Sequence, residues 1–449
     1  MNENLEKMES MTPVKAVMSN AIPAMLIMVM ALVYNMADLF FIGRTGNDLM
    51  VAAISLAAPL FLMFMALGNV FGIGGASLLS RCLGKGDKDA SKKISSFCFW
   101  SCICIGILLS VVVFFSVDSL AIAFGASSDT ADMVSNYLAI ISTTGVFVLI
   151  SSCYSALVRS EGKPQKAMTG MVLGNLINIV LDPILILGLN MGVEGAAIAT
   201  AIGNLCGGAY YLIYLLKADT MLTIKPRDFT CKEGILKEVL LIGIPASLTS
   251  ILMGICQILI NSQMSVYGDL AVAGIGVGMK VTMITTMMCM GIGLGVQPLL
   301  SYAIGAGNKE RYNSIFKVSV IFAVILSGGL TILCYLTLHW IVNAFVSDPQ
   351  AYEYAYYFSG VLISTSVAFS VLSVLANALQ AAGAATSALI VNTSRQGFVY
   401  IPLLFIMGNI WNIDGLVFAQ PVADVISIVL AIVLYLIVSK KFFASSEAI

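Results

Sequence analysis

The chain has 449 residues, of which 59% are hydrophobic and only 10% charged, with a mean hydropathy of +0.96. Soluble domains carry about 25% charged residues, so this composition excludes an ordinary soluble protein and implies a polytopic membrane protein set in the lipid bilayer. The net charge of −1 says little by itself, since placement of charge matters more than its sum, and no nucleic-acid partner is expected.

A crossing helix needs roughly 20 apolar residues. Breaks at Gly, Pro and charge clusters separate twelve candidates, near 16–42, 52–77, 94–117, 131–157, 166–190, 194–217, 237–266, 271–300, 314–339, 352–379, 385–408 and 414–439. The first 15 residues are polar and acidic, and the apolar stretch after them is too long for a signal-peptide core. The ten cysteines lie mostly within apolar runs, as small hydrophobes do.

The twelve spans are two copies of six. Pro23 in Ala21-Ile22-Pro23-Ala24 returns as Pro245 in Gly243-Ile244-Pro245-Ala246, and the turn Leu83-Gly84-Lys85-Gly86-Asp87 returns 221 residues later as Ile304-Gly305-Ala306-Gly307-Asn308. Six crossings per copy give both the same orientation, an arrangement found in transporters. The expected organisation is an amino-terminal lobe over 1–217, a charged cytoplasmic linker over 218–236 and a carboxy-terminal lobe over 237–449. Of 23 Lys and Arg residues, only Arg44 falls in a loop on one side, while Lys280 and Arg395 fall within spans and the rest lie opposite. Both termini are therefore expected to be cytoplasmic.

Ionisable groups at membrane depth are costly and point to function. In the first copy these are Asp38 and Asp182. On the fifth span Asn175, Asn178 and Asp182 share one helix face, and Pro183 frees the carbonyl of Ile179 beside them. At about 1.5 Å of rise per residue, Asp38, Asp182 and Thr200 lie roughly 6, 12 and 9 Å from the outer end of their spans. Tyr34 precedes Asp38 by one turn, Thr200 and Asn204 share a face of the sixth span, and Tyr137 enters at similar depth. A single Asn or Thr in a span is ordinarily interhelical glue. Two carboxylates with no Lys or Arg partner at their depth are not, and such a pocket suits Na⁺ or, with a carboxylate protonated, H⁺.

The second copy differs. Lys280 and Asp424 lie at matching depth and are expected to form a buried ion pair, with substrate contact as the alternative. Arg395 lies nearer the cytoplasmic end of its span, facing the inner opening, and Gln257 and Asn261 share a face that lines a cavity or packs. Gly72-Ile73-Gly74-Gly75 has no strand before it, so it is no nucleotide-binding loop. No grouping of Ser, His, Cys and carboxylates suits hydrolysis or a resident metal, and no enzyme or cofactor is expected.

The duplicated halves, Pro23 with an Asp fifteen residues on, Asn178-Ile179-Val180-Leu181-Asp182-Pro183-Ile184-Leu185-Ile186 and Gly192-Val193-Glu194-Gly195-Ala196-Ala197 resemble the multidrug and toxic compound extrusion (MATE) transporters over essentially the full length. Ala53-Ile54-Ser55-Leu56-Ala57-Ala58-Pro59 and Gly68-Asn69-Val70-Phe71-Gly72-Ile73-Gly74 resemble the MepA-like group. The resemblance implies an all-α, V-shaped molecule of two pseudo-symmetric six-helix lobes. It implies export of cationic or polyaromatic compounds against inward H⁺ or Na⁺ flow, with Asp38, Asn178, Asp182 and Thr200 as cation ligands and Pro23 as the point where the first helix bends. The seventh span, unlike that of NorM-type relatives, has no acid between Ile244 and Met264, and Glu353 stands only at the mouth of the tenth, which argues against a second-lobe cation site of that kind. The expected protein is a secondary antiporter of the bacterial inner membrane, acting as a monomer; the rival reading is a flippase for a lipid-linked precursor, which would need a strongly cationic cavity.

Overall fold

A computed structural model describes residues 10–218, 220–232, 234–346, 348–440 and 442. The ends of the chain, positions 219 and 233 of the linker, position 347 and the side chain of residue 48 lie outside the described residues. Among those described there is helix and no strand. In chain order the helices are α1 (Pro13–Gly43), α2 (Asp48–Gly84), α3 (Lys88–Phe115), α4 (Val117–Ala123), α5 (Ala131–Ser160), α6 (Pro164–Asp182), α7 (Gly192–Lys217), α8 (Ile235–Met264), α9 (Asp269–Gly305), α10 (Lys309–Phe345), α11 (Pro349–Ile363), α12 (Ser366–Ala381), α13 (Ala385–Thr393) and α14 (Tyr400–Ser439).

Ten helical stretches are long and apolar enough to cross a bilayer, and α11 with α12, bent by 41° at their junction, make an eleventh. The last stretch, Ala385–Ser439, runs 55 residues. That is about 80 Å of helix, more than twice a hydrocarbon layer of about 30 Å, and it reverses at Asn412, where φ is 54° and ψ −131°. It therefore holds the eleventh and twelfth expected spans, which makes twelve candidate crossings among the described residues.

The duplicated turn folds twice in the same way. Gly86 and Gly307 take φ of 75° and 67°, conformations open to glycine at no steric cost. The next residue caps the following helix in each copy: Asp87 accepts from the Ala90 amide at 2.9 Å and Asn308 from the Arg311 amide at 2.9 Å. Pro164 and Pro349 start α6 and α11 at the first turn, where the missing N–H is no loss.

The chain forms two compact units, one of residues 29–243 and the other of 244–442 joined by 10–28 where described. In the first unit the opening turns of α8 press on α2 through glycines: a Cβ at Gly74 would meet the Val239 carbonyl oxygen at 2.1 Å, and one at Gly243 would meet that of Val70 at 1.9 Å. The second unit repeats this contact with the opening half of α1 on α9, where a Cβ at Gly291 or Gly295 would meet the Cα of Met25 or Ala21 at 2.6 Å. Val70 and Gly243 of one copy stand where Gly291 and Ala21 stand in the other. The repeated sequence thus explains a repeated packing in which side-chain-free positions let backbones touch.

Gly243→Ala is expected to destabilise the protein by about 1–3 kcal/mol through overpacking. Gly254→Ala, on the same helix with nothing within 4 Å of its added Cβ, should be neutral or stabilising by up to about 1 kcal/mol. Thermal unfolding of the purified variants checks both.

Candidate functional site

The first unit gathers its polar side chains where α1, α5, α6 and α7 meet. Helices α6 and α7 can approach closely because glycines line the seam: a Cβ at Gly174 would meet the Gly203 carbonyl oxygen at 2.8 Å, and one at Gly203 would meet the Gly174 carbonyl oxygen at 2.7 Å. One turn on, this approach lets the Asn178 amide donate to the Thr200 hydroxyl at 3.1 Å. At the far end of the same helix pair the Tyr211 hydroxyl donates to the Ala167 carbonyl at 2.6 Å, fixing the register.

Asp182 ends α6, and the chain continues through a π-helical turn, Pro183–Gly188. Proline at 183 has no N–H to give the preceding turn, and wide turns of this kind recur at functional sites. Asp182 is fully buried, and Asp38 on α1 is 7% exposed. The two carboxylates lie within electrostatic reach of each other. The hydroxyls of Tyr34 and Tyr137 both approach that of Thr200, close to both carboxylates.

The hydrogen bonding leaves a remainder. Asp38 Oδ1, Asn178 Oδ1 and both carboxylate oxygens of Asp182 are buried without a donor. Four acceptors on three converging side chains, with no protein donor, form an electronegative cluster. Their chemistry is that of hard oxygen ligands for Na⁺, or of a carboxylate that takes a proton. Asn204, on the Thr200 face, has a buried amide nitrogen that is also without a partner. Asn175 is half-buried one turn before Asn178 and bonds to none of these groups. No group of three or more His, Cys, Asp or Glu side chains poised for a metal occurs among the described residues.

The second unit corrects one expectation. Asp424 pairs with Arg395, not with Lys280: the Arg395 Nε lies 2.6 Å from Asp424 Oδ1. Lys280 is exposed, with its ammonium 5.6 Å from the centroid of the Phe345 ring. Arg395, expected nearer the cytoplasmic end of its span, is the base that holds Asp424. It hangs from a second π-helical turn, Ser394–Phe398, which rephases the helix so that counting residues along a straight span misplaces its side chain. Thr365 and Gln420 complete the coordination of Asp424 at 2.8 and 2.9 Å, and the guanidinium lies 3.9 Å from the Phe369 ring centroid. These three residues escaped the sequence reading, although Gln420 stands one helical turn before Asp424 and was within reach of it. Gln257 is exposed, and Asn261 is half-buried with its Oδ1 unpartnered; neither bonds to the Asp424 cluster.

Similarity to known proteins agrees with this architecture. The family model MatE matches twice, over residues 23–184 and 245–406. The chain is 32% identical over 431 residues to the multidrug export protein MepA of Staphylococcus haemolyticus, covering 96% of this chain and 95% of that one. It is also 32% identical over 454 residues to that of Staphylococcus aureus strain NCTC 8325, covering 100% and 99%. Among solved structures, an outward-facing multidrug resistance MATE family transporter of the MOP superfamily superposes with a TM-score of 0.91 at 23% identity, covering 100% and 99% of the two chains. A MATE transporter crystallised with MaL6 gives 0.91 at 24%, covering 100% of both. The chain belongs to the MatE family of multidrug efflux transporters and is a membrane transporter, not an enzyme.

Proposed function

We propose that the protein is a cation-coupled antiporter, with the Asp38, Asn178, Asp182 and Thr200 cluster as the site that H⁺ or Na⁺ occupies. The observation that carries this reading is the set of four buried, donorless oxygens on Asp38, Asn178 and Asp182. An arriving cation or proton supplies the charge and the bonds that the protein withholds. Tyr34, Tyr137, Asn175 and Asn204 frame the cluster; Pro23 lies within α1, the expected bending point, and Pro183 opens the wide turn that follows Asp182.

The coupling follows from differential binding. An ion that binds one conformation more tightly than the other shifts the population toward it, and a drug with the opposite preference is carried the other way. A tenfold ion gradient supplies about 1.4 kcal/mol, and 100 mV about 2.3 kcal/mol per charge. One ion per cycle can therefore sustain a useful drug gradient. The substrates are cationic or polyaromatic small molecules, by analogy with the multidrug export proteins above. The transporter sits in the bacterial inner membrane with both termini cytoplasmic, acts as a single chain and alternates access of its sites to the two sides. A flippase for lipid-linked anionic precursors is the weaker reading, because the embedded Arg395 is already neutralised by Asp424.

Dye efflux from proteoliposomes tests this with a pH gradient and a Na⁺ gradient imposed separately. Asp182→Asn should lower gradient-driven efflux at least tenfold, since a lost charge-assisted contact costs about 1.5–3 kcal/mol; unchanged pumping in both Asp38→Asn and Asp182→Asn sinks the proposal. Thr200→Val leaves the Asn178 amide without its acceptor and should weaken ion dependence by roughly 1–2 kcal/mol, read as a rightward shift of efflux against ion concentration.

A further inference from the structure

Asp424 is 2% exposed and has donors on three sides: Arg395 Nε at 2.6 Å, Thr365 Oγ1 at 2.8 Å and Gln420 Nε2 at 2.9 Å. The guanidinium carbon of Arg395 lies 3.9 Å from the centroid of the Phe369 ring. A flat, delocalised cation is thus held at its edge by a carboxylate and on its face by an aromatic ring. Those two contacts recognise any guanidinium or amidinium, whatever it is attached to.

The cation that fills this cage is carried on an irregular stretch of backbone. Arg395 sits on the wide turn Ser394–Phe398, where Gly397 leaves helical geometry with φ −129° and ψ −108°, and the Gln396 carbonyl accepts from the Cys256 thiol at 2.8 Å. The helical ladder is interrupted there already, so the side chain can withdraw without breaking it. The Arg395 side chain is 13% exposed and that of Asp424 3%, so the arginine forms the rim and covers the carboxylate.

We propose that Asp424 and Phe369 form a binding site for flat amidinium- or guanidinium-bearing molecules, with Arg395 as the resident cation that such a molecule displaces. The proposal rests on the export reading above and narrows its substrate class. One cation replaces another, so the buried carboxylate is never left uncompensated. Thr365 and Gln420 keep it aimed at the incoming N–H groups. A cation with no N–H donor, such as tetraphenylphosphonium, cannot make the same edge contact.

The test is benzamidine binding to the purified full-length protein in nanodiscs, by calorimetry, with tetraphenylphosphonium as the comparison. Arg395→Lys keeps a positive charge but loses the flat fork, so it yields the cage more readily. Benzamidine should then bind about tenfold more tightly than to the unaltered protein, a change of about 1.4 kcal/mol, with tetraphenylphosphonium unchanged. Phe369→Leu, which retains the ion pair, should weaken benzamidine binding several-fold, and Asp424→Asn should abolish it. If the pair is only structural, Arg395→Lys binds benzamidine no more tightly and Phe369→Leu no more weakly; either result overturns the proposal. Tetraphenylphosphonium efflux from proteoliposomes of the unaltered protein separates the two readings. Persistent gradient-driven efflux alongside failed benzamidine predictions removes this site and leaves the exporter standing, whereas absence of any gradient-driven efflux removes the exporter itself.

Discussion

A charge inside a bilayer needs a partner, and the two units of this transporter meet that demand in opposite ways. In the second unit Asp424 is matched by Arg395 from its own chain and saturated by Thr365 and Gln420. In the first unit the carboxylates of Asp38 and Asp182 lie within electrostatic reach of each other, and three of their four oxygens are buried without a donor. An isolated buried carboxylate is strongly unfavourable unless it is neutralised. The first unit thus leaves acceptors that its own described side chains do not satisfy, which is the observation behind the ion site proposed above. Duplication supplied two similar helical frames, and the placement of one arginine separates the frame whose acid is paired within the chain from the frame whose acids are not.

Helix α1 links this charge demand to the packing of the fold. Its later turns carry Tyr34 and Asp38 in the first unit, while its earlier turns, with Ala21, Met25 and Pro23, pack on the glycines of α9 in the second. Helix α8 is divided in the same manner, with Gly243 in the first unit and Pro245 in the second. Each of these helices thus has a proline close to the point where its allegiance changes. Because proline removes one backbone hydrogen bond and crowds the preceding turn, bending is least costly there. Asp38 and the close backbone contacts at Ala21 and Met25 are thus carried by one helix, on either side of Pro23 and the unit boundary.

Much of this was readable from the residues, for physical reasons. The first-unit cluster was legible because its members sit on regular helices, where spacing gives the face and a rise of about 1.5 Å per residue gives the depth. Asn178 and Thr200 come together where those two rules place them. The twelve crossings were legible from hydropathy, and the turns at Gly86 and Gly307 from the repeat itself. The partner of Asp424 was not, because depth counting assumes an unbroken helix and the wide turn at Ser394–Phe398 rephases everything after it. Nor did hydropathy reveal the seams at Gly174 and Gly203 or at Gly74 and Gly243. Glycine is common in membrane helices, and only three-dimensional packing separates a glycine that admits a neighbour from one, like Gly254, that faces open space.

The contrast between the two π-helical turns gives the asymmetry a structural cause. The turn at Pro183 follows Asp182 and opens the backbone beside an acid that has no partner. The turn at Ser394 carries Arg395 and swings a base toward an acid on the next span. Both relax the helical ladder at membrane depth, where unpaired backbone groups are tolerated only if the protein or a bound group satisfies them. One turn therefore exposes a demand for positive charge, and the other answers that demand from within. On the two proposals made above, an ion at the first site would change the net charge of its unit, whereas a cation exchanging with Arg395 at the second would leave it as it was. The first site would then select for charge, and the second for shape and hydrogen-bonding pattern.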